Sequence, residues 1–228
     1  MRWQYASTHE IEKIIKFLKS KNIGRYDEIS IQILKLSAPY IISPLTYICN
    51  AILNSGIFPD RLKYAIIKPI FKKGHDQELM NYRPITLLTS FSKVIEKFIY
   101  ARLLDHINTN CILVNEEYGF RTWSSTEEAT FSLINNVLTV TNNNLKIGVI
   151  FCDLQKAFDS MDHKILMNKL EFYSIEGKFK TIIASYLTGR YQKVTLNNIT
   201  NNSSSSKWEM IKNGVPQGSI LSPLSSFL

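Results

Sequence analysis

Asp153 closes the run Val149-Ile150-Phe151-Cys152, and a carboxylate at the end of so apolar a stretch is costly unless it is paired, solvated or bound to metal. Metal binding is one explanation; a plain turn start, common for strand-ending Asp, is the other. Asp159 and Asp162 stand ahead of a helical stretch and read as caps favouring its positive end, so neither is assigned to metal. A second group is Gly214-Val215-Pro216-Gln217-Gly218-Ser219, where two glycines and a proline impose a shaped turn and display one amide side chain. Gln217 can donate and accept hydrogen bonds without charge, as recognition of a sugar, a base edge or a backbone amide requires. A turn leading into a helix would use similar residues. The third group is Asn81-Tyr82-Arg83-Pro84-Ile85, with Lys93 after it and Lys68, Lys72 and Lys73 before it. These cations could converge on phosphates, Arg83 in bidentate fashion, although surface lysines are usually only solvated.

Positioning such groups is the work of the surrounding elements. Ser7 and Glu10 form a capping-box pattern ahead of Ile11, Ile14, Ile15 and Leu18, which predicts a helix with one apolar stripe. Leu45, Ile48, Cys49, Ile52 and Leu53 predict a second helix stopped by Asn54-Ser55-Gly56, with Pro39 and Pro44 breaking or bending the chain before it. The β-branched run Tyr64 to Phe71 contains Pro69 and predicts a strand at or near a sheet edge. Phe91, Val94, Ile95 and Phe98 repeat at helical spacing, and Ser125 with Glu128 opens a helix carrying Ala129, Leu133, Val137 and Leu138. Alternation over Lys146 to Asp153 predicts a buried strand ending in the carboxylate. A helix around Ile165 to Tyr173 precedes two strand-like pieces, Gln192 to Leu196 and Trp208 to Ile211, expected to pair as a hairpin.

The chain has 27 Lys and Arg against 19 Asp and Glu, a formal charge of +8, which suits a partner made of phosphates without requiring one. Cys49, Cys111 and Cys152 are odd in number and widely spaced, so neither a disulfide framework nor a zinc ribbon is written here, and a reducing compartment is expected. The most apolar stretch, Ala38 to Leu53, is interrupted by Pro39, Pro44 and polar residues, so no membrane span is expected.

Taken in order, these segments resemble the reverse transcriptase domain of non-LTR retrotransposons, especially the jockey-like elements of animals. Phe58-Pro59-Asp60, Ile67 to Gly74 and Asn81 to Ile85 look like the opening blocks in the fingers, and Tyr118-Gly119-Phe120-Arg121 follows. Asp153-Leu154-Gln155-Lys156-Ala157-Phe158-Asp159 resembles the first catalytic palm motif, Ser185-Tyr186-Leu187 with Arg190 the next block, and Gly214 to Ser219 the glutamine-containing motif.

The resemblance implies an α+β right-hand polymerase: an N-terminal helical extension (1–57), a fingers region (58–145) and a partial palm (146–228), with an incomplete palm sheet and no thumb. It implies RNA-directed DNA synthesis in which two Mg²⁺ ions clamp the attacking 3′-hydroxyl and the incoming triphosphate. Asp153 matches the catalytic metal-binding aspartate and the backbone carbonyl of Leu154 a second metal contact. Phe158 matches the bulky gate that crowds a ribose 2′-hydroxyl. Lys68, Arg83 and Lys93 match basic positions near the triphosphate, and Gln217 and Gly218 match contacts to the incoming nucleotide and template.

The implied partners are an RNA template, a DNA primer or RNA–DNA hybrid, and a dNTP, in the nucleus or cytoplasm. The family's paired-aspartate motif has no match in this chain, and Trp123-Ser124 replaces residues that are usually basic. The expectation is therefore an enzyme-family fragment that is inactive alone. The alternative is a non-catalytic nucleic-acid-binding module, or a relic that associates with a complementary or full-length polymerase.

Overall fold

The computed structural model describes residues 4–19, 26–114, 116–119, 124–153, 158–197 and 203–222. It mixes helices with a small sheet, the α+β class expected. Helix α1 (Thr8–Phe17) begins at Ser7, whose hydroxyl accepts from the Glu10 amide at 3.2 Å, and buries Ile11, Ile14 and Ile15. After the short α2 (Ile31–Leu36) comes α3 (Ala38–Ser55), which ends on Gly56 at φ 75°. The expected break before α3 does not occur. Pro39 sits in the first turn, where a missing N–H removes nothing, and the helix continues through Pro44.

Strands β1 (Tyr64–Phe71) and β2 (Tyr82–Leu87) form an antiparallel pair, and α4 (Ser90–Thr109) follows. Helices α5 (Thr126–Asn142), α6 (His163–Phe172) and α7 (Gly177–Leu187) precede β3 (Tyr191–Asn197), β4 (Ser203–Ser205) and β5 (Glu209–Met210). The sheet runs β2-β1-β3-β4, with β5 also antiparallel to β3, so the expected hairpin forms. β1 lies one strand in from the edge strand β2, near the sheet edge as expected, and β3 joins it in parallel only over residues 64–67. Pro69 lies beyond that stretch, where its missing donor is needed by neither neighbour. Strands from both sides of residue 145 therefore share one sheet.

The core is helical. α1 packs on α3 and α4, and α7 on α3 and α6. Arg102 of α4 donates two hydrogen bonds to Glu10 of α1, at 2.8 and 2.7 Å, and stacks over Phe98. Phe58 is fully buried, edge-on to Tyr186, with its amide bonded to the Ser185 hydroxyl at 3.0 Å.

One expectation fails outright. Lys146 to Asp153 is neither a strand nor buried: Ile150 is 88% and Phe151 84% exposed. Its alternating pattern prepares a face for a sheet, but a strand exists only where a neighbour takes its backbone hydrogen bonds, and no described strand lies alongside. α5 has the expected capping box at Ser125 and Glu128, yet it buries no residue.

Candidate functional site

The loop over residues 214–222 is held from three sides. Toward the Phe158–Asp159 turn, the Val215 amide donates to the Phe158 carbonyl at 2.8 Å and the Gly214 amide to the Met161 carbonyl at 2.9 Å. His163 lies 2.7 Å from the Gly214 carbonyl through Nε2, which must carry the proton because a carbonyl only accepts. Gly214 has φ 79°, and a Cβ there would stand 2.8 Å from the carbonyl oxygens of Phe158 and Asp159, so the fit requires glycine on both counts. Val215 and Leu221 anchor the loop in the core.

Toward the sheet, the Thr86 amide of β2 donates to the Gln217 carbonyl at 2.8 Å. Gly218, at φ 104°, passes so close that a Cβ would lie 3.2 Å from the Thr86 carbonyl. The Gln217 amide nitrogen lies 3.3 and 3.4 Å from the two Asp159 oxygens, a long and shared contact that leaves its carbonyl oxygen available.

Toward the core, the Ile220 amide donates to Glu96 at 2.9 Å, and the Ser92 hydroxyl donates to the other Glu96 oxygen at 2.8 Å. Burial pushes the Glu96 carboxyl above its ordinary value, opposed by nearby Arg190 and by those two hydrogen bonds. Arg190 is 1% exposed, stacks 4.6 Å over the Tyr186 ring and donates to the Tyr186 carbonyl at 3.0 Å. Its two other nitrogens, and the Tyr186 hydroxyl, find no hydrogen-bond partner among the described residues. Burial raises the pKa of that hydroxyl well above the usual phenol range.

A groove of about 390 Å³ opens beside the loop, lined by Lys19, Lys93, Lys97, Tyr100, Leu87 and Gly218, among others. Lys93, Lys97 and Tyr100 lie at helical spacing on one side of α4. Of the residues singled out in the sequence, Lys93 and Gly218 meet in this groove, with Gln217 next to it. Phe158 is half-buried against the core and contributes its backbone carbonyl to the loop. Lys68 and Arg83 lie on one face of the β1–β2 pair.

Asp153 is exposed in the irregular segment and makes no hydrogen bond or ion pair with another described residue. Leu154, Phe120 and Arg121 lie outside the described residues. Nor do three His, Cys, Asp or Glu side chains converge anywhere among the described residues so as to hold a metal ion.

Sequence reasoning missed Glu96, Lys97, His163 and the role of Asp159. Glu96 had a legible signal, a carboxylate set between Ile95 and Phe98 on an apolar stripe. Asp162 does cap α6, accepting from the Lys164 amide at 2.6 Å, which leaves Asp159 free to face Gln217. No described helix is long and apolar enough to cross a membrane.

The family described as reverse transcriptase (RNA-dependent DNA polymerase) matches residues 70–227. The chain is similar to the probable RNA-directed DNA polymerase from transposon BS of Drosophila melanogaster, 35% identical over 94% of this chain. It is similar to the probable RNA-directed DNA polymerase from transposon X-element of the same organism, 31% identical over 94% of this chain. A third relative, the RNA-directed DNA polymerase from mobile element jockey of Drosophila funebris, is 30% identical over 96% of this chain. The chain spans 23% of the length of each of these curated relatives.

Proposed function

Because the chain belongs to the reverse transcriptase (RNA-dependent DNA polymerase) family, we propose that it is the nucleotide- and template-handling portion of a retrotransposon polymerase. The observation that carries this reading is the mating of the Gly214–Gly218 loop with the Phe158–Asp159 turn and with β2, beside a groove lined by lysines. Lys93, Arg83 and Lys68 supply positive charge for a triphosphate, and Gln217 supplies an uncharged amide for the sugar and base side. Phe158 crowds the 2′ position of the incoming sugar. The organisation proposed is a helical extension (1–57), fingers (58–145) and part of the palm (146–228).

Mg²⁺ in such polymerases polarises the attacking 3′-oxygen and neutralises the triphosphate. In this chain Asp153 and the Leu154 carbonyl are the proposed metal contacts. The described residues give only one matched carboxylate, which is exposed, and no group of three His, Cys, Asp or Glu side chains that could hold an ion, and that set does not fit a two-ion site. No catalytic step is therefore assigned through metal, and we infer that these 228 residues alone do not extend a primer.

Two measurements on the purified chain and its Asp153→Ala variant test the reading. In primer extension on an RNA template with Mg²⁺ and dNTPs, neither protein should yield product. Extension lost on the substitution would overturn the inactivity, and extension indifferent to it would remove Asp153 from the site. Binding to a primed RNA–DNA hybrid should weaken as salt rises. A protein that ignores the hybrid at low salt would defeat the nucleic-acid reading itself.

A further inference from the structure

A second cluster lies on the sheet face opposite the one that buries Ala65, Ile67 and Thr86. Tyr64 of β1 and Tyr191 of β3 are direct partners in the parallel register, and their rings stack at 5.3 Å and 13°. Tyr26 continues the ladder on Tyr64 at 5.5 Å and 24°. Trp208, brought in by the pairing of β5 with β3, stands nearly perpendicular to Tyr26 and Tyr64, with ring centres at 5.4 and 5.2 Å. The Lys193 ammonium sits 5.1 Å over the Trp208 ring.

The register extends this face across the sheet. Lys193 stands opposite Ile66, Lys68 opposite Ile85 and Arg83 opposite Ile70, and Leu87, opposite Ile66, leads into the lysine-lined groove. The face's strand residues on β1, β2 and β3 thus include three cations and no carboxylate. Neither Lys68 nor Arg83 forms an ion pair with a described residue. Tyr26, the outer rung of the ladder, remains 46% exposed.

Stacked aromatic rings left partly in water, flanked by cations at strand spacing, match the chemistry of unpaired nucleic acid. Every base presents a π-face to an aromatic ring, and the backbone phosphates need nearby positive charge. A duplex hides its base faces and would meet only the cations. We propose that this face is a platform for single-stranded RNA, with bases stacking on Tyr26 and the Trp208 side of the ladder and a phosphate held by Lys193, the cation beside the rings, while Lys68 and Arg83 farther along the face stay with the triphosphate. The proposal deepens the polymerase reading and rests on it for the choice of RNA: the strand held would be the unpaired template.

The test uses the full chain carrying Trp3→Phe and Trp123→Phe, so that Trp208 is the single tryptophan. The probe is a twelve-residue oligouridylate, without Mg²⁺ or dNTP. Trp208 fluorescence should change on titration. Tyr26→Ala should weaken binding on the order of 10-fold, while Tyr26→Phe, which keeps the ring, should bind like the parent. Lys193→Gln should lower the slope of log affinity against log salt by about one. An abasic oligomer of the same length, with equal charge and no bases, should bind on the order of 10-fold more weakly.

Equal affinity for the abasic strand, preference for a duplex, or unchanged binding by Tyr26→Ala would each overturn the platform. Because the readout needs no catalysis, failure here with hybrid binding intact sinks the platform alone. Failure of both assays sinks the polymerase reading.

Discussion

Glu96 shows how much one residue decides at this site. Its carboxylate fixes the Ile220 amide from inside the protein, two positions past the Gly218 turn that faces the groove. Burial raises its pKa from the ordinary 4.5, so the folded chain keeps a proton that the unfolded chain releases. The stability this group contributes is therefore fully present below about pH 4.5 and is lost as pH rises through the raised value. Glu96→Gln keeps the shape and an oxygen for Ile220 but cannot ionise. The difference in unfolding free energy between variant and parent should move in the variant's favour as pH is raised from 4.5 to 8, measured by urea denaturation. A difference that stays flat with pH would mean that Glu96 is not held by burial in this way. Its importance was legible only in part: a charged residue in an apolar stripe is conspicuous, but its partners Arg190 and Ile220 are 94 and 124 positions away. Gln217 and Gly218 were legible because a shaped turn advertises itself through local residues, whereas a buried pair across the fold does not.

At the level of elements, the Gly214 turn is the joint between the loop and the motif that follows Asp153. Gly214→Ala would place a methyl 2.8 Å from two backbone carbonyls at a φ that L residues avoid. Since neither carbonyl can swing aside as a side chain would, the cost should be about 2 kcal/mol or more in urea denaturation, with loss of hybrid binding. A variant as stable as the parent would mean that the loop can leave its seat cheaply. Helix positions were read well from periodicity and caps, as α1, α4, α5 and α6 show, because both signals are local. Pro44 was expected to break or bend the chain, yet α3 runs through it, because a helix packed on α1 and α7 tolerates one lost internal bond and those neighbours lie elsewhere in the chain. Pro69 was read correctly, since β1 lies next to the edge strand β2 and β3 joins it only before the proline, over residues 64–67. The segment at 146–153 teaches the same lesson in reverse, since alternation specifies a face but not the neighbour that must cover it.

The whole molecule divides into a consolidated helical core with its sheet and an excursion, α5 with the segment up to Asp153, that buries little. Its three cysteines sample both parts. Cys49 lies at the centre of α3 with no exposure, and burial pushes its thiol up to about 12, with Glu10 adding to the effect. At pH 8 it is neutral and unreachable, so alkylation must wait for the core to open. Cys111 and Cys152 are exposed. Iodoacetamide at pH 8, followed by intact mass measurement, should add two adducts quickly and the third only in urea concentrations that unfold the chain. If Cys49 reacts without urea as fast as Cys111, the helical core is not closed in solution. If Cys152 reacts far more slowly than Cys111, the segment has found a cover. Two fast adducts and one slow one would establish a core that stands without the excursion, leaving the groove, the Gln217 loop and the tyrosine ladder on a fixed frame while Asp153 waits outside it.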